Sequence, residues 1–213
     1  MILCAIGDIR CRLFYKGLVF VFGMKKGIFI EIEGTDGSGK QTQAGKLLDK
    51  MKSIGLKCVA TDFPRYDSPS GRIVGQGYLG KDASFYGWDG DSGWFGDPDL
   101  VDPRVASAYY AADRGFHRSF IVDNLEKGVH VLTDRYIDAN KGHQGGKIID
   151  DDERLSLYED LDNLEYGFMK LPKPDIVVFL HMPIAVSLEL KKRRSEDVCE
   201  GLDGHENNVE HLR

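Results

Sequence analysis

A lysine closing a glycine-rich run and an arginine straight after an apolar strand are the residues of this chain whose types and spacing could do chemistry. In Gly34-Thr35-Asp36-Gly37-Ser38-Gly39-Lys40-Gln41-Thr42 the glycines let the backbone take positive φ and turn N–H groups inward toward an anion. Lys40 follows at a helix entrance, where its ammonium and the positive end of the helix dipole both favour phosphate. The pattern G-x-x-x-x-G-K-[ST] is met from Gly34 to Lys40, but its last position holds Gln41 and the hydroxyl comes one residue later, at Thr42. That hydroxyl usually ligates magnesium, so Gln41, through its amide oxygen, and Thr42 are candidate ligands in a site for nucleotide phosphates. Asp36 is unusual there, since a carboxylate repels phosphates. It makes sense facing a cation or a substrate hydroxyl.

Phosphoryl transfer spreads negative charge over the moving group, so the protein contributes mainly position and positive charge. Arg65, Arg114, Arg135, Arg193 and Arg194 are the candidate cations, and planar guanidinium forks suit bidentate phosphate contact. Arg135 stands out: it lies between Asp134 and Tyr136 directly after a buried strand, where an unpaired charge is costly.

The elements that must position these groups alternate. Ile28 to Glu33 reads as a strand, Gln41 to Met51 as a helix, Lys57 to Asp62 as a second strand and Val129 to Thr133 as a third. Pro103 to Lys127 reads as one long amphipathic helix, with proline in its first turn and Gly128 at its end. Asp151 to Lys170 is mostly helical by composition, and Asp175 to Leu180 is a fourth strand, apolar enough to be buried on both faces. A helix from Pro183 to Arg194 and a polar segment follow. Alternation of this kind predicts an α/β fold with a parallel sheet and helices on both faces. Ligands then bind at the carboxyl ends of the strands, where Gly34–Lys40, Phe63–Tyr66 and Asp134–Tyr136 all fall. Residues 80–102, rich in glycine and aspartate with Trp88 and Trp94, read as a surface loop pinned by its aromatics.

A chain of 213 residues with 42% hydrophobic content forms one domain. Its net charge of −6 argues against a nucleic-acid binder. Cys4, Cys11, Cys58 and Cys199 lack metal-site or C-x-x-C spacing, which fits a reduced, cytoplasmic protein. Leu13 to Phe22, interrupted by Lys16 and Gly17, falls far short of the ~20 residues that span a bilayer. Residues 1–23 are expected to be a disordered or non-native extension, with Met24 as the native start and the domain running over 24–213.

The set Glu33 to Lys40, Phe63-Pro64-Arg65, Tyr110 to Arg114, Asp134-Arg135-Tyr136 and Leu171 to Asp175 resembles the thymidylate kinase family in order, from about Lys26 to the chain end. The resemblance implies a P-loop kinase fold and an enzyme that moves the γ-phosphoryl of ATP to dTMP, giving dTDP for dTTP synthesis with Mg²⁺ as cofactor. It implies ATP phosphates on Gly34, Thr35, Asp36, Gly37, Ser38, Gly39, Lys40, Gln41 and Thr42. The dTMP side would comprise Asp36, Phe63, Pro64, Arg65, Tyr110, Arg114, Arg135, Asn140, His143 and Gln144. In that scheme Tyr110 stacks on thymine, Arg114 donates to its carbonyl, and Arg65 and Arg135 grip the dTMP phosphate. Lys40, Asp36, Arg135, Arg193 and Arg194 would act in catalysis, and Asp134 joins Gln41 and Thr42 as a metal candidate, partly through water and phosphates. His143 stands where the family commonly has tyrosine, which leaves open another nucleoside monophosphate as acceptor. The resemblance also implies a mobile lid at about 192–208 and a homodimer. The family's last strand and helix are absent, so the chain is expected to be truncated, and a nucleotide-binding fragment without turnover is the remaining alternative.

Overall fold

The computed structural model describes residues 26–81, 93–183 and 185–187. The proposed extension at 1–23 and the lid with Arg193 and Arg194 lie outside the described residues, as does 82–92 of the glycine-rich loop. The described chain forms β1 (Phe29–Gly34), α1 (Lys40–Ser53), β2 (Cys58–Asp62), α2 (Pro69–Arg72), α3 (Pro103–Phe116), α4 (Arg118–Glu126), β3 (His130–Asp134), α5 (Ile137–Gly145), α6 (Asp151–Asp162) and β4 (Ile176–Leu180). Wider π turns extend α2 through Ile73–Tyr78 and α6 through Asn163–Phe168.

The four strands are parallel in the order β2-β3-β1-β4. Period-two alternation along β1 sends Ile30 and Ile32 to one face, where they pack with Met51, Cys58 and Leu132 beneath α1. Phe29 goes to the other face, with Phe63, Ile121, Leu125, Val131, Tyr136, Ile137 and Leu171. Each such fully buried side chain contributes about 1.5–3 kcal/mol. This second face also receives Glu31 and Glu33, at 1% and 6% exposure, so the sheet buries two carboxyl groups next to its apolar cluster.

Two sequence expectations need correction. The single helix expected from Pro103 to Lys127 is two, divided at His117, whose φ of −95° and ψ of 7° leave the helical region. There the N–H of His117 donates to both Asp113 O (3.3 Å) and Arg114 O (3.1 Å), and the last turn of α3 tightens before α4 begins. β4 is not buried on both faces: Val177 is 48% and Phe179 62% exposed. Among the described residues β4 pairs only with β1 and forms an edge of the sheet. α5 was not expected from sequence at all; its Asn-Lys-Gly-His run has weak helical periodicity, and tertiary contacts hold it.

The strand order places the ends of β1 and β3 side by side, with the chain after β1 and the chain after β3 departing from neighbouring points. Crevices of parallel sheets open at such reversals of strand order.

Candidate active site

The loop after β1 takes the expected shape. Gly34, Gly37 and Gly39 have φ of 150°, 81° and 85°. Gly34 also leaves no room for a side chain, since a Cβ there would lie 2.7 Å from Leu180 O. Gly39 caps α1 without a side-chain hydrogen bond, which leaves the first N–H groups of the helix directed at the loop for an anion. Lys40 is buried and folds back over the loop, donating to Gly34 O (2.7 Å) and Thr35 O (2.9 Å). Burial first and the Arg135 charge second lower its pKa, so an arriving phosphate would restore the favourable environment that the ammonium lacks.

Asp36 meets cations, one of the two uses its place in the loop left open. It accepts from Arg135 Nη2 and lies 3.7 Å from Lys40 Nζ. Its carbonyl accepts from the buried Ser187 hydroxyl, tying the last described helical residue to the cradle.

Arg135 sits at φ 66°, a left-handed conformation that costs a non-glycine residue about 1–2 kcal/mol. Three hydrogen bonds hold it there. Arg135 N donates to Ile32 O (3.0 Å), Thr133 Oγ1 donates to Arg135 O (2.7 Å), and Tyr136 N donates to Glu33 Oε1 (3.0 Å). The same Glu33 oxygen accepts from Ala139 N at 3.1 Å, which fixes the first turn of α5.

Two cavities flank this turn and share Asp36, Phe63, Pro64, Tyr66 and Arg135. One includes Gly37, Gly39, Lys40, Gln41, Asp62 and Asp134 and opens on the glycine-rich loop, the side suited to phosphate. The other adds Tyr110, Arg114, Asn140 and His143, a mixed aromatic and polar pocket. Tyr110 meets Tyr78 edge-to-face at 5.8 Å. Arg114, 2% exposed, is held by Glu165 through Nε–Oε2 at 2.5 Å and Nη2–Oε1 at 2.6 Å. A bidentate pair of this kind fixes the guanidinium plane. Asn140 is buried and donates to Ser107 O at 3.2 Å.

The structure does not bring every candidate to the cavities. Arg65 turns its guanidinium to Asp67 (3.1 Å) outside both linings, while its backbone N–H donates to Asp113 (2.8 Å). Gln144 is fully buried and exchanges hydrogen bonds with the Tyr78 hydroxyl, which burial pushes up to about 12. Lys147 donates to the same hydroxyl at 2.7 Å. Thr42 is exposed and outside the linings, whereas Gln41 is exposed and lines the phosphate side.

For a divalent cation, the informative atom is Asp134 Oδ1, buried without a hydrogen-bond partner on the phosphate side. Asp62, not expected from the sequence, stands opposite Asp134 across the β2–β3 pair. Burial raises the pKa of both carboxyl groups; Asp134 adds to the rise at Asp62, and Asp36 adds to the rise at Asp134. No group of three or more His, Cys, Asp or Glu among the described residues is arranged to hold a metal. The donor set therefore fits Mg²⁺ carried largely by phosphate and water, with a single carboxylate beside it.

Sequence reasoning also missed Glu165 and Asp113 as organisers of the pocket. Glu165 lies in an acidic helical stretch with nothing local to mark it; the one available signal was that a buried Arg114 needs a partner.

A parallel sheet with a glycine-rich loop after its central strand, and a second polar pocket one strand away, defines a P-loop phosphotransferase fold with two adjoining cavities. The family model described as thymidylate kinase matches residues 98–211, independently of the glycine-rich loop. Thymidylate kinase of Pelobacter propionicus is 32% identical over 171 residues, covering 80% of this chain and 68% of the relative. That of Afipia carboxidovorans is 30% identical over 179 residues, covering 82% and 68%. The solved structure of thymidylate kinase from Candida albicans superposes with a TM-score of 0.60 at 26% identity, covering 87% of this chain and 73% of that one. The chain belongs to the thymidylate kinase family.

Proposed function

We propose that the chain transfers the γ-phosphoryl group of ATP to dTMP, giving dTDP. The observation that carries this reading is the wall of Asp36 and Arg135 shared by the two cavities, which Lys40 joins from the loop side in one contiguous charge cluster. ATP phosphates lie on the Gly34–Thr42 loop, with Lys40 exchanging its carbonyl partners for phosphate oxygens. Arg135, fixed in the turn after β3, faces both ligands and stabilises charge on the group in transit. Tyr110 offers its ring to the base, and Arg114, held by Glu165, offers its remaining donors to a base carbonyl. Asn140 and His143 line the sugar and base side. Asp36 lies beside Arg135, within reach of a sugar hydroxyl or the hydrated cation.

Mg²⁺ bound with ATP would supply positive charge against the phosphates. Asp134, with Gln41 at the rim, is the part of this chain that would hold it through water. Arg65 would join the acceptor phosphate by leaving Asp67, and Gln144 supports the pocket through Tyr78. Arg193 and Arg194 belong to the lid of this reading, and a homodimer is its expected assembly. Among the described residues no helix is long and apolar enough to cross a membrane.

An ADP-release assay with dTMP, dUMP, dGMP, dCMP and AMP tests the assignment. dTMP should be the preferred acceptor; another preferred acceptor would redirect the reading to that nucleotide, and ATP binding without product from any of them would sink it.

A further inference from the structure

Glu31 is the residue of β1 that neither cavity uses and that the apolar face does not explain. It is 1% exposed. In register with it stand Thr133 on β3 and Val177 on β4, neither of which carries charge. The titratable and charged groups facing it are Glu33 on its own strand, Asp138 on α5 and Arg114 on α3, with Tyr136, Tyr166 and Glu165 around them.

The hydrogen bonds assign the charges. Glu165 takes the Arg114 guanidinium through both of its oxygens, so it is the ionised partner there. Burial raises the Glu33 pKa as well, but Glu33 accepts from Tyr136 N, Ala139 N and, at 3.3 Å, Gly34 N, and faces Arg135, all of which favour its carboxylate over that of Glu31. Glu31 has no such donors. Its Oε1 is buried without a partner, and among the described residues Glu33, two positions along on the same face, is the group its side chain meets. Two carboxyl groups bonded to each other out of water cannot both be ionised.

We propose that Glu31 is a positioning residue: it carries a proton that it donates in a hydrogen bond to Glu33, and so steadies Glu33 as the anchor of the Arg135 turn and of the α5 start. The sequence Ile28-Phe29-Ile30-Glu31-Ile32-Glu33 thus holds a carboxylic acid–carboxylate pair whose acid member acts on the ligand pocket through its neighbour. The proposal rests on the acceptor reading of the pocket that Arg135 lines.

The ordinary carboxyl value of 4.5 is raised to about 9 at Glu31, by burial first and by Glu33 second. A raised value in the fold means that Glu31 favours the folded chain below about 4.5, and that this contribution is lost as pH rises toward about 9. Glu31→Gln keeps a donor for Glu33 and cannot ionise. Its melting temperature relative to wild type should therefore climb steadily from about pH 5 to about pH 9; a flat difference overturns the shared proton. By calorimetry near neutral pH, Glu31→Gln should hold the dTMP Kd within about twofold. Glu31→Leu, which removes a hydrogen bond to a charged group, should weaken it about tenfold or more while the ATP Kd stays within about twofold. Approaching pH 9, wild type should lose dTMP affinity that Glu31→Gln keeps, a comparison that needs no folded Leu variant. Equal pH profiles, or a folded Leu variant with wild-type dTMP affinity, overturn the positioning role. A wild-type chain that binds no dTMP removes the acceptor reading and that role with it, whereas the melting series still decides the proton.

Discussion

The phosphate loop and the neighbouring aromatic pocket sit on either side of Asp36 and Arg135, yet they are built in opposite ways. The loop is one continuous segment, Gly34 to Thr42, whose shape comes from its own glycines and from the start of α1. The pocket is assembled from the ends of β2 and β3 and from α3 and α5, and it depends on groups far away in sequence, above all Glu165 behind Arg114 and Glu33 behind the Arg135 turn. A local site tolerates change elsewhere in the fold. An assembled one passes the loss of any buried partner on to its geometry.

The largest expected effect comes from breaking the pocket from behind. Glu165→Ala leaves the Arg114 guanidinium buried without its partner, which should destabilise the fold by about 3–5 kcal/mol in urea unfolding; a loss below about 1 kcal/mol would mean that Arg114 finds other acceptors. The loop should behave differently. Lys40→Ala should lower kcat on the order of 10²–10³-fold with unfolding midpoint and dTMP affinity nearly unchanged, and unaltered turnover in a steady-state assay would contradict the phosphate role. Arg135→Lys keeps the charge on the shared wall but loses the planar fork, so dTMP affinity should fall about 10- to 100-fold by calorimetry. An equal fall in ATP affinity would show that the wall serves both sides alike, erasing the distinction. The smallest change is expected from Gln41→Ser, which restores the usual hydroxyl and should tighten the apparent Mg²⁺ requirement by up to about tenfold. No change in a magnesium titration would assign that contact to Thr42 or to water.

Much of this was legible before the fold was known. The loop could be read because its requirements are local: glycine where φ is positive, lysine at a helix entrance, and a strand before and a helix after. Arg135 could be read because a charge following a buried strand demands a use. Arg65 and Gln144 were drawn to the pocket by resemblance, whereas the structure turns the first to Asp67 and buries the second against Tyr78. His117 ended α3 through a backbone conformation that amphipathic periodicity does not report, and the apolar run of β4 lies at an edge because apolarity measures a preference for burial and does not supply a covering layer.

By itself, then, the sequence determined the glycine-shaped loop, the alternation that makes the sheet parallel and the identity of the cations, because each follows from φ preferences and hydrophobic periodicity within a few residues. Only the tertiary structure decided which carboxylates those cations meet, Arg114 with Glu165 and Arg135 with Asp36, and that Glu31 lies buried beside Glu33. The two ion pairs join residues 51 and 99 positions apart, and the groups facing the two glutamates, Arg114 on α3, Asp138 on α5 and Tyr166 after α6, come from distant parts of the chain. Electrostatics acts through distance and burial in space, and neither can be read from order along the chain.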